Sequence, residues 1–179
     1  MPQMDATTSP MGDERSRSIE DLEGIVWSPP TLHSYVAGTS HALRRKPIAS
    51  LTDEELRVGL EQQVGVAYLV PLAIQRLQSD PLAEARLYRG DLLQSLLDVP
   101  ASFWQEHEAL RLAAAGLAKA AMRMMVAEPE PDVVQRDIFD AVTEAYLRFN
   151  GTIPSRAWLR PEDGKAPPPV TQRMQDSPA

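Results

Sequence analysis

The chain has 179 residues, with 25 acidic and 18 basic side chains and a formal net charge of −7 at pH 7. This length is sufficient for one folded domain with tails, and the 43% hydrophobic content is ordinary for a soluble globular protein. The sequence contains no cysteine, which excludes disulfides and thiol chemistry and is consistent with a cytoplasmic protein.

Both ends of the chain are expected to be disordered tails. Residues 1–18 are polar with few large apolar groups, and residues 161–179 are rich in proline. The N-terminal stretch lacks the apolar core of a signal peptide, and the longest apolar run, residues 64–74, is too short to span a bilayer. We therefore predict one folded domain over residues 19–160, in the cytoplasm and away from membranes.

The clearest helix start lies at Thr52. Its hydroxyl can accept a hydrogen bond from the backbone N–H of Glu55, whose carboxylate can reach back to the Thr52 N–H, as in a capping box. Apolar side chains then recur every four residues on one face: Leu56, Leu60 and Val64. Because Pro71 lacks an N–H and disfavours helical geometry at the preceding residue, we predict a bend or a new helix start there.

The segment before the next helix contains Tyr88, Gly90 and Asp91, which we interpret as architectural residues. Gly90 is expected to supply a backbone conformation that other residues resist, and Asp91 is expected to cap a short helix beginning at Leu92. Such a cap is typical of an aspartate that directly precedes a run of leucines.

Two longer helices are predicted towards the C-terminus. The first carries one apolar stripe: Leu110, Ala113, Ala114, Leu117, Ala121, Met124 and Met125. The second, with Asp132 as its expected cap, carries another: Val134, Ile138, Ala141, Val142, Ala145 and Phe149. Helical periodicity dominates and strand signals are scarce, so an all-α, compact multi-helix bundle with short connections is the expected fold.

Residues with catalytic or metal-binding chemistry are few. His107 lies between Glu106 and Glu108, but adjacent residues of a helix point in different directions, which argues against a metal site. No motif for a metal, a phosphate group or an activated nucleophile is present, so neither a catalytic residue nor a cofactor is predicted. Residues 44–46, Arg-Arg-Lys, form the sole basic cluster, interpreted as a solvated segment or, alternatively, as a nucleic-acid contact.

The negative charge is concentrated in one part of the chain. Residues 51–110 carry 10 acidic and 4 basic side chains, whereas residues 111–179 carry 9 of each. An acidic surface disfavours non-specific binding to DNA or membranes and favours a cationic partner. The same excess is also typical of an ordinary solvated surface, so charge alone leaves the partner open.

Several sequence motifs lie in a preserved order between residues 20 and 105. A Leu-Glu, Trp and Pro opening occurs within residues 22–29, followed by a basic element at residues 43–46. A Leu-Thr-x-Glu-x-Leu-Arg helix start spans residues 51–57, and Tyr-Leu-Val-Pro spans residues 68–71. Pro-Leu-Ala-Glu at residues 81–84, Tyr-x-Gly-Asp-Leu-Leu at 88–93 and Phe-Trp at 103–104 complete the series.

With these motifs the chain resembles the immunity proteins of bacterial contact-dependent growth inhibition (CDI) systems. It differs at Ala85, where that family has glycine, and at Arg89, where it has proline, which indicates a differently shaped loop. The resemblance implies a helical cytoplasmic protein without catalytic activity that binds and neutralises a toxin's C-terminal domain. Because such toxins are often nucleases, the expected partner is a cationic nuclease domain, with no direct contact to nucleic acid.

The candidate toxin contacts are the acidic residues that fall outside the apolar stripes: Glu54, Asp80, Glu84, Glu106 and Glu108. Glu55 is set aside because the capping box already engages its carboxylate. Two other hypotheses stay open: a helical regulator that binds nucleic acid or another protein, and a small helical enzyme or enzyme accessory subunit whose site is assembled from scattered carboxylates. The oligomeric state is not predicted.

Overall fold

The computed structural model describes residues 15–31, 34–129 and 132–150. The helices in these ranges are α1 (Ile19–Glu23), α2 (Tyr35–Leu43), α3 (Asp53–Glu61), α4 (Val66–Ser79), α5 (Asp91–Leu97), α6 (Ala101–Glu106), α7 (Glu108–Ala127) and α8 (Val133–Asn150). A 3₁₀ turn at Ile48–Ser50 precedes α3. The described ranges contain two isolated β-bridges but no strand, which confirms the all-α prediction.

Reciprocal side-chain caps begin three of these helices. The predicted box at α3 is confirmed: Glu55 N donates to Thr52 Oγ1 at 3.2 Å, and Thr52 N donates to Glu55 Oε2 at 3.0 Å. Asp132 is confirmed as the cap of α8, since its Oδ1 accepts from Gln135 N at 2.8 Å. Each cap satisfies N–H groups that have no partner within the helix.

The third cap corrects the predicted end of the N-terminal tail. Ser18 caps α1 by accepting from Asp21 N at 3.1 Å, and the Ser18 side chain is buried. In addition, Ile48 N donates to the carbonyl of Arg17 at 3.0 Å. Residues 15–18 therefore belong to the fold, whereas the rest of the predicted tails, 1–14 and 161–179, lies outside the described residues.

Of the predicted bend or new helix start at Pro71, the new start is wrong, because α4 runs continuously through that residue. The chain turns earlier, at Gln63 and Gly65, which adopt left-handed backbone conformations with φ of 56° and 58°. Pro71 removes one hydrogen bond, the one to the carbonyl of Ala67. Ala67 is exposed, so water can satisfy that carbonyl and the helix tolerates the proline.

Helix α5 lies at the centre of the core although it has only seven residues. It packs against α3, α4, α7 and α8. Its leucines Leu92, Leu93 and Leu96 are fully buried. Other helices surround this short helix on several sides, so it has no wide face towards solvent. Its sequence is therefore rich in leucine and lacks the polar face of an amphipathic surface helix.

The two C-terminal helices complete the core. On α7 the buried side chains include Ala114, Ala118, Ala121, Met122 and Met125, and the small alanines allow α8 to approach closely. The predicted stripe is wrong at Met124, which is 40% exposed. The ring of Phe149 on α8 packs edge-on against Trp104 at 5.2 Å. No described helix combines the length and the hydropathy needed to cross a membrane.

Candidate partner-binding surface

Within the described residues, the most extensive cluster of ion pairs surrounds the buried Arg57 of α3. Its Nε and NH2 donate to the two carboxylate oxygens of Glu54 at 2.7 and 3.0 Å, and its NH1 donates to Glu61 Oε1 at 2.5 Å. These pairs are three and four residues apart on one helix face. Asp91 Oδ2 lies 3.9 Å from the Nε of Arg57. These carboxylates offset the free-energy cost of removing the positively charged guanidinium from water.

Glu54, a predicted toxin contact, is held inside this cluster. Its side chain is 14% exposed, and its carboxylate also accepts from the hydroxyl of Tyr35 at 3.0 Å. Arg86 NH1 approaches it at 3.6 Å. The hydrogen bond from Arg57 is the main cause of a lowered pKa of the Glu54 carboxyl, with Tyr35 adding to it. The charge of Glu54 is therefore largely matched within the protein.

Asp91 does not cap the helix that it begins, so the predicted cap is wrong. Helix α5 starts at Asp91 with Gly90 as its N-cap, and no side chain caps it. The Asp91 carboxylate, 2% exposed, instead accepts three backbone N–H groups of the preceding loop: Ala85 at 2.7 Å, Arg86 at 3.0 Å and Leu87 at 2.8 Å. In the first helical position its side chain points back towards the N-terminal side, where this loop lies. Gly90 is confirmed in a left-handed conformation, with φ of 91°.

The C-terminal end of the same loop contacts α5 and the residue that follows α7. The Tyr88 hydroxyl donates to Gln94 of α5, and Arg89 forms an ion pair with Glu128, which directly follows α7. Burial raises the pKa of the Tyr88 phenol, and the negative charge of Asp91 adds to this effect. Ala85 does not adopt a left-handed conformation, so the glycine typical of the family is not required at that position.

The loop and α2 expose a group of side chains that the sequence analysis missed. Leu87 is 59% exposed and Tyr35 is 52% exposed. Arg86, which directly precedes Leu87 in the sequence, places its guanidinium 4.3 Å above the centroid of the Tyr35 ring. A signal was available, because the segment between Pro81 and Gly90 lacks helical periodicity and an apolar side chain there has no stripe to join.

Two of the predicted acidic contacts, Asp80 and Glu84, line one open cleft. The cleft also contains Asp53 and Arg76, whose Oδ1 and Nε lie 3.8 Å apart. Asp80 Oδ1 accepts from the backbone N–H of Leu82 at 3.0 Å. Within the described ranges neither Asp80 nor Glu84 forms an ion pair, and both residues are exposed, so their charges are presented to solvent.

The other two predicted contacts, Glu106 and Glu108, lie on either side of His107 at the junction of α6 and α7. Both are exposed, and Glu108 is paired with Arg111 through hydrogen bonds of 2.6 and 2.7 Å that lower the pKa of its carboxyl. The His107 ring stacks on Phe103 with centroids 4.1 Å apart. Among the described residues, no group of three or more His, Asp or Glu side chains could hold a metal ion.

The interpretation of the basic cluster as a solvated segment is wrong for Arg44. This side chain is 2% exposed, donates to Glu23 at 2.6 Å and lies 4.3 Å from the Trp27 ring centroid. Arg45 and Lys46 are exposed, but they face Glu20 and Glu55 respectively. Each cation is matched by a carboxylate, which weakens the alternative of a nucleic-acid contact at this cluster.

The chain matches the model of a known protein family. A family model described as CDI immunity proteins matches residues 21–113, which is more than half of the chain. The matched segment runs from α1 into the start of α7 and includes the Arg57 cluster and the loop held by Asp91. No curated protein and no solved structure matches the chain.

Proposed function

This chain belongs to the family of CDI immunity proteins, and on that premise we propose that it neutralises the C-terminal toxin domain of its own contact-dependent growth inhibition system. It does so by forming a stoichiometric complex, without catalysis, and thereby protects the cell that produces both proteins. The family match is the observation that carries this proposal.

The finer part of the proposal is that the toxin is a cationic nuclease. It is supported by the acidic excess of residues 51–110 and by the exposed carboxylates of Asp80, Glu84 and Glu106. The carboxylate of Glu108 is also exposed but is paired with Arg111. A nuclease domain that holds phosphate presents positive potential, and an acidic inhibitor accelerates encounter with such a surface. Glu54 contributes less to this long-range attraction, because Arg57 and Arg86 lie against its carboxylate.

The proposed activity is tested by co-expression with the toxin domain encoded beside this gene. Cells that express the toxin domain alone should stop growing, and cells that also express this protein should grow. A pull-down should recover a one-to-one complex, whose interface is expected to bury roughly 1,200–2,000 Å² in total. Continued growth arrest, or the absence of a complex, would contradict the proposal.

The role of the acidic charges is tested by the association rate at several ionic strengths. Asp80→Lys with Glu84→Lys should slow association more than it accelerates dissociation, and the difference from wild type should shrink once salt brings the Debye length below ~8 Å. The control pair, Asp137→Lys with Glu144→Lys on α8, changes the net charge equally at a different place. An association rate that is independent of salt and equal in all variants would show that the acidic surface is merely solvated.

A further inference from the structure

We propose that the loop of residues 84–89 and the adjoining Tyr35 of α2 form the central toxin-contacting patch, here called the loop patch. It fits a protein surface with an apolar protrusion surrounded by basic side chains. This inference rests on the proposed function and specifies which part of the molecule meets the toxin.

The first argument is the exposure of side chains that proteins usually bury at interfaces. Leu87 and Tyr35 expose 59% and 52% of their surface, and Arg86, the sequence neighbour of Leu87, stacks on the Tyr35 ring. Large apolar and aromatic groups that stand together on a surface mark interaction sites more often than single exposed residues do. Tyrosine and arginine are also enriched among the residues that dominate binding energy.

The second argument is that the loop patch is held in a defined conformation before any partner binds. Asp91 accepts the N–H groups of Ala85, Arg86 and Leu87, and all three donor–acceptor distances are 3.0 Å or shorter. The Tyr35 hydroxyl is likewise fixed by Glu54 at 3.0 Å. A loop that is already ordered loses little conformational entropy on binding, which favours affinity.

The third argument is charge complementarity with the proposed cationic partner. Ion pairs around the loop patch join four carboxylates to three guanidinium groups: Glu54, Glu61, Asp91 and Glu128 to Arg57, Arg86 and Arg89. The exposed Glu84 lies opposite Arg89 at a backbone bridge and adds a fifth carboxylate. Glu54 and Asp91 are largely buried, but the carboxylates outnumber the guanidinium groups, so the surroundings of the loop patch carry a net negative charge. That net charge complements a basic protein surface and disfavours nucleic acid and anionic membranes.

The decisive variant is Leu87→Asp, with Leu112→Asp as its matched control. Leu112 lies on α7 and is 58% exposed, so the two changes introduce the same side chain at equal exposure. We expect Leu87→Asp to weaken the complex with the neighbouring toxin domain by at least about 30-fold. The control should stay within about twofold of wild type. Thermal unfolding of both free variants should match wild type, because neither side chain is buried.

A second comparison concerns the ring of Tyr35. Tyr35→Phe keeps the ring beneath Arg86 and should retain most of the affinity, whereas Tyr35→Ala removes the ring and should lose at least about tenfold in affinity.

If Leu87→Asp and Tyr35→Ala bind the toxin as wild type does, the loop patch is not the contact surface, although the proposed function stands. If the wild-type protein itself fails to bind, the proposed function fails first. A shift of free Leu87→Asp to a smaller oligomer, with unchanged toxin affinity, would assign the patch to self-association and overturn the inference.

Discussion

Asp91 illustrates how a single side chain can have a different role from the one its local sequence indicates. Its position before a leucine run indicates a helix cap, yet its carboxylate accepts hydrogen bonds from residues four to six positions earlier in the chain. The nearby guanidinium of Arg57, 3.9 Å away, partly compensates its buried charge. The residue therefore connects α3, α5 and the loop between α4 and α5.

We expect Asp91→Ala to reduce the free energy of unfolding of the free protein by about 3 kcal/mol. The change leaves three N–H groups without their acceptor and removes one of the carboxylates that surround buried Arg57. Urea denaturation of the isolated protein measures this loss.

The matched control is Asp98→Ala. Asp98 is 39% exposed and pairs with Arg148 on the surface, so its removal should cost at most about 1 kcal/mol. Equal stability of wild type and Asp91→Ala would mean that the loop does not depend on this carboxylate.

Some residue-level roles could be predicted and others could not, for a physical reason. The caps at Thr52 and Asp132 depend on a partner three residues away, so spacing alone identifies them. The burial of Arg44 depends on Glu23 and Trp27, which lie 21 and 17 residues away and meet it only after folding. Sequence patterns describe local partners well, but these longer-range partners are set by tertiary packing.

At the scale of helices, the change of backbone direction between α3 and α4 is made by residues before α4 and not by the proline within it. Pro71 lies within α4, whereas Gln63 and Gly65 carry the left-handed conformations that redirect the backbone. Gly65 is needed for two reasons, its φ of 58° and the proximity of Ile19. A Cβ at this position would lie 2.6 Å from Ile19 Cδ1.

Gly65→Ala should therefore destabilise the protein, whereas Gly116→Ala should stabilise it. We expect a loss of about 2 kcal/mol at Gly65, because alanine disfavours the left-handed conformation and its Cβ displaces Ile19. Gly116 lies within α7, and a Cβ added there would meet no neighbouring side chain within 4 Å, so alanine should gain up to about 1 kcal/mol. Thermal and urea unfolding of the two variants provide the comparison. Equal effects would show that helix propensity, rather than backbone conformation, controls both positions.

For the whole molecule, the family match ends at residue 113, but the core continues beyond it. Helix α8 packs on α5 and α7 and buries Val142, Ala145 and Tyr146. The all-α class was predictable because helical periodicity and local caps recur along the chain. The lack of helical periodicity around Leu87 is a local signal of its exposure, whereas the stacking of Arg86 on the distant Tyr35 depends on the complete fold.

The contribution of α8 can be measured with Tyr146→Ala. Tyr146 is 6% exposed, so truncation should reduce the free energy of unfolding by about 3 kcal/mol through lost burial and a residual cavity. Tyr35→Ala truncates the same side chain at 52% exposure and should cost at most about 1 kcal/mol. If Tyr146→Ala were as stable as Tyr35→Ala, α8 would be a peripheral attachment rather than part of the core.

The hydrogen bonds that Asp91 accepts from main-chain N–H groups have an evolutionary consequence. Every amino acid except proline provides such an N–H, so residues 85, 86 and 87 can change identity while the loop keeps its path. Arg89, at the position where the family typically has proline, lies outside those three positions. If the loop patch contacts the toxin as proposed, a lineage that meets an altered toxin can exchange these side chains one at a time without evolving a new fold.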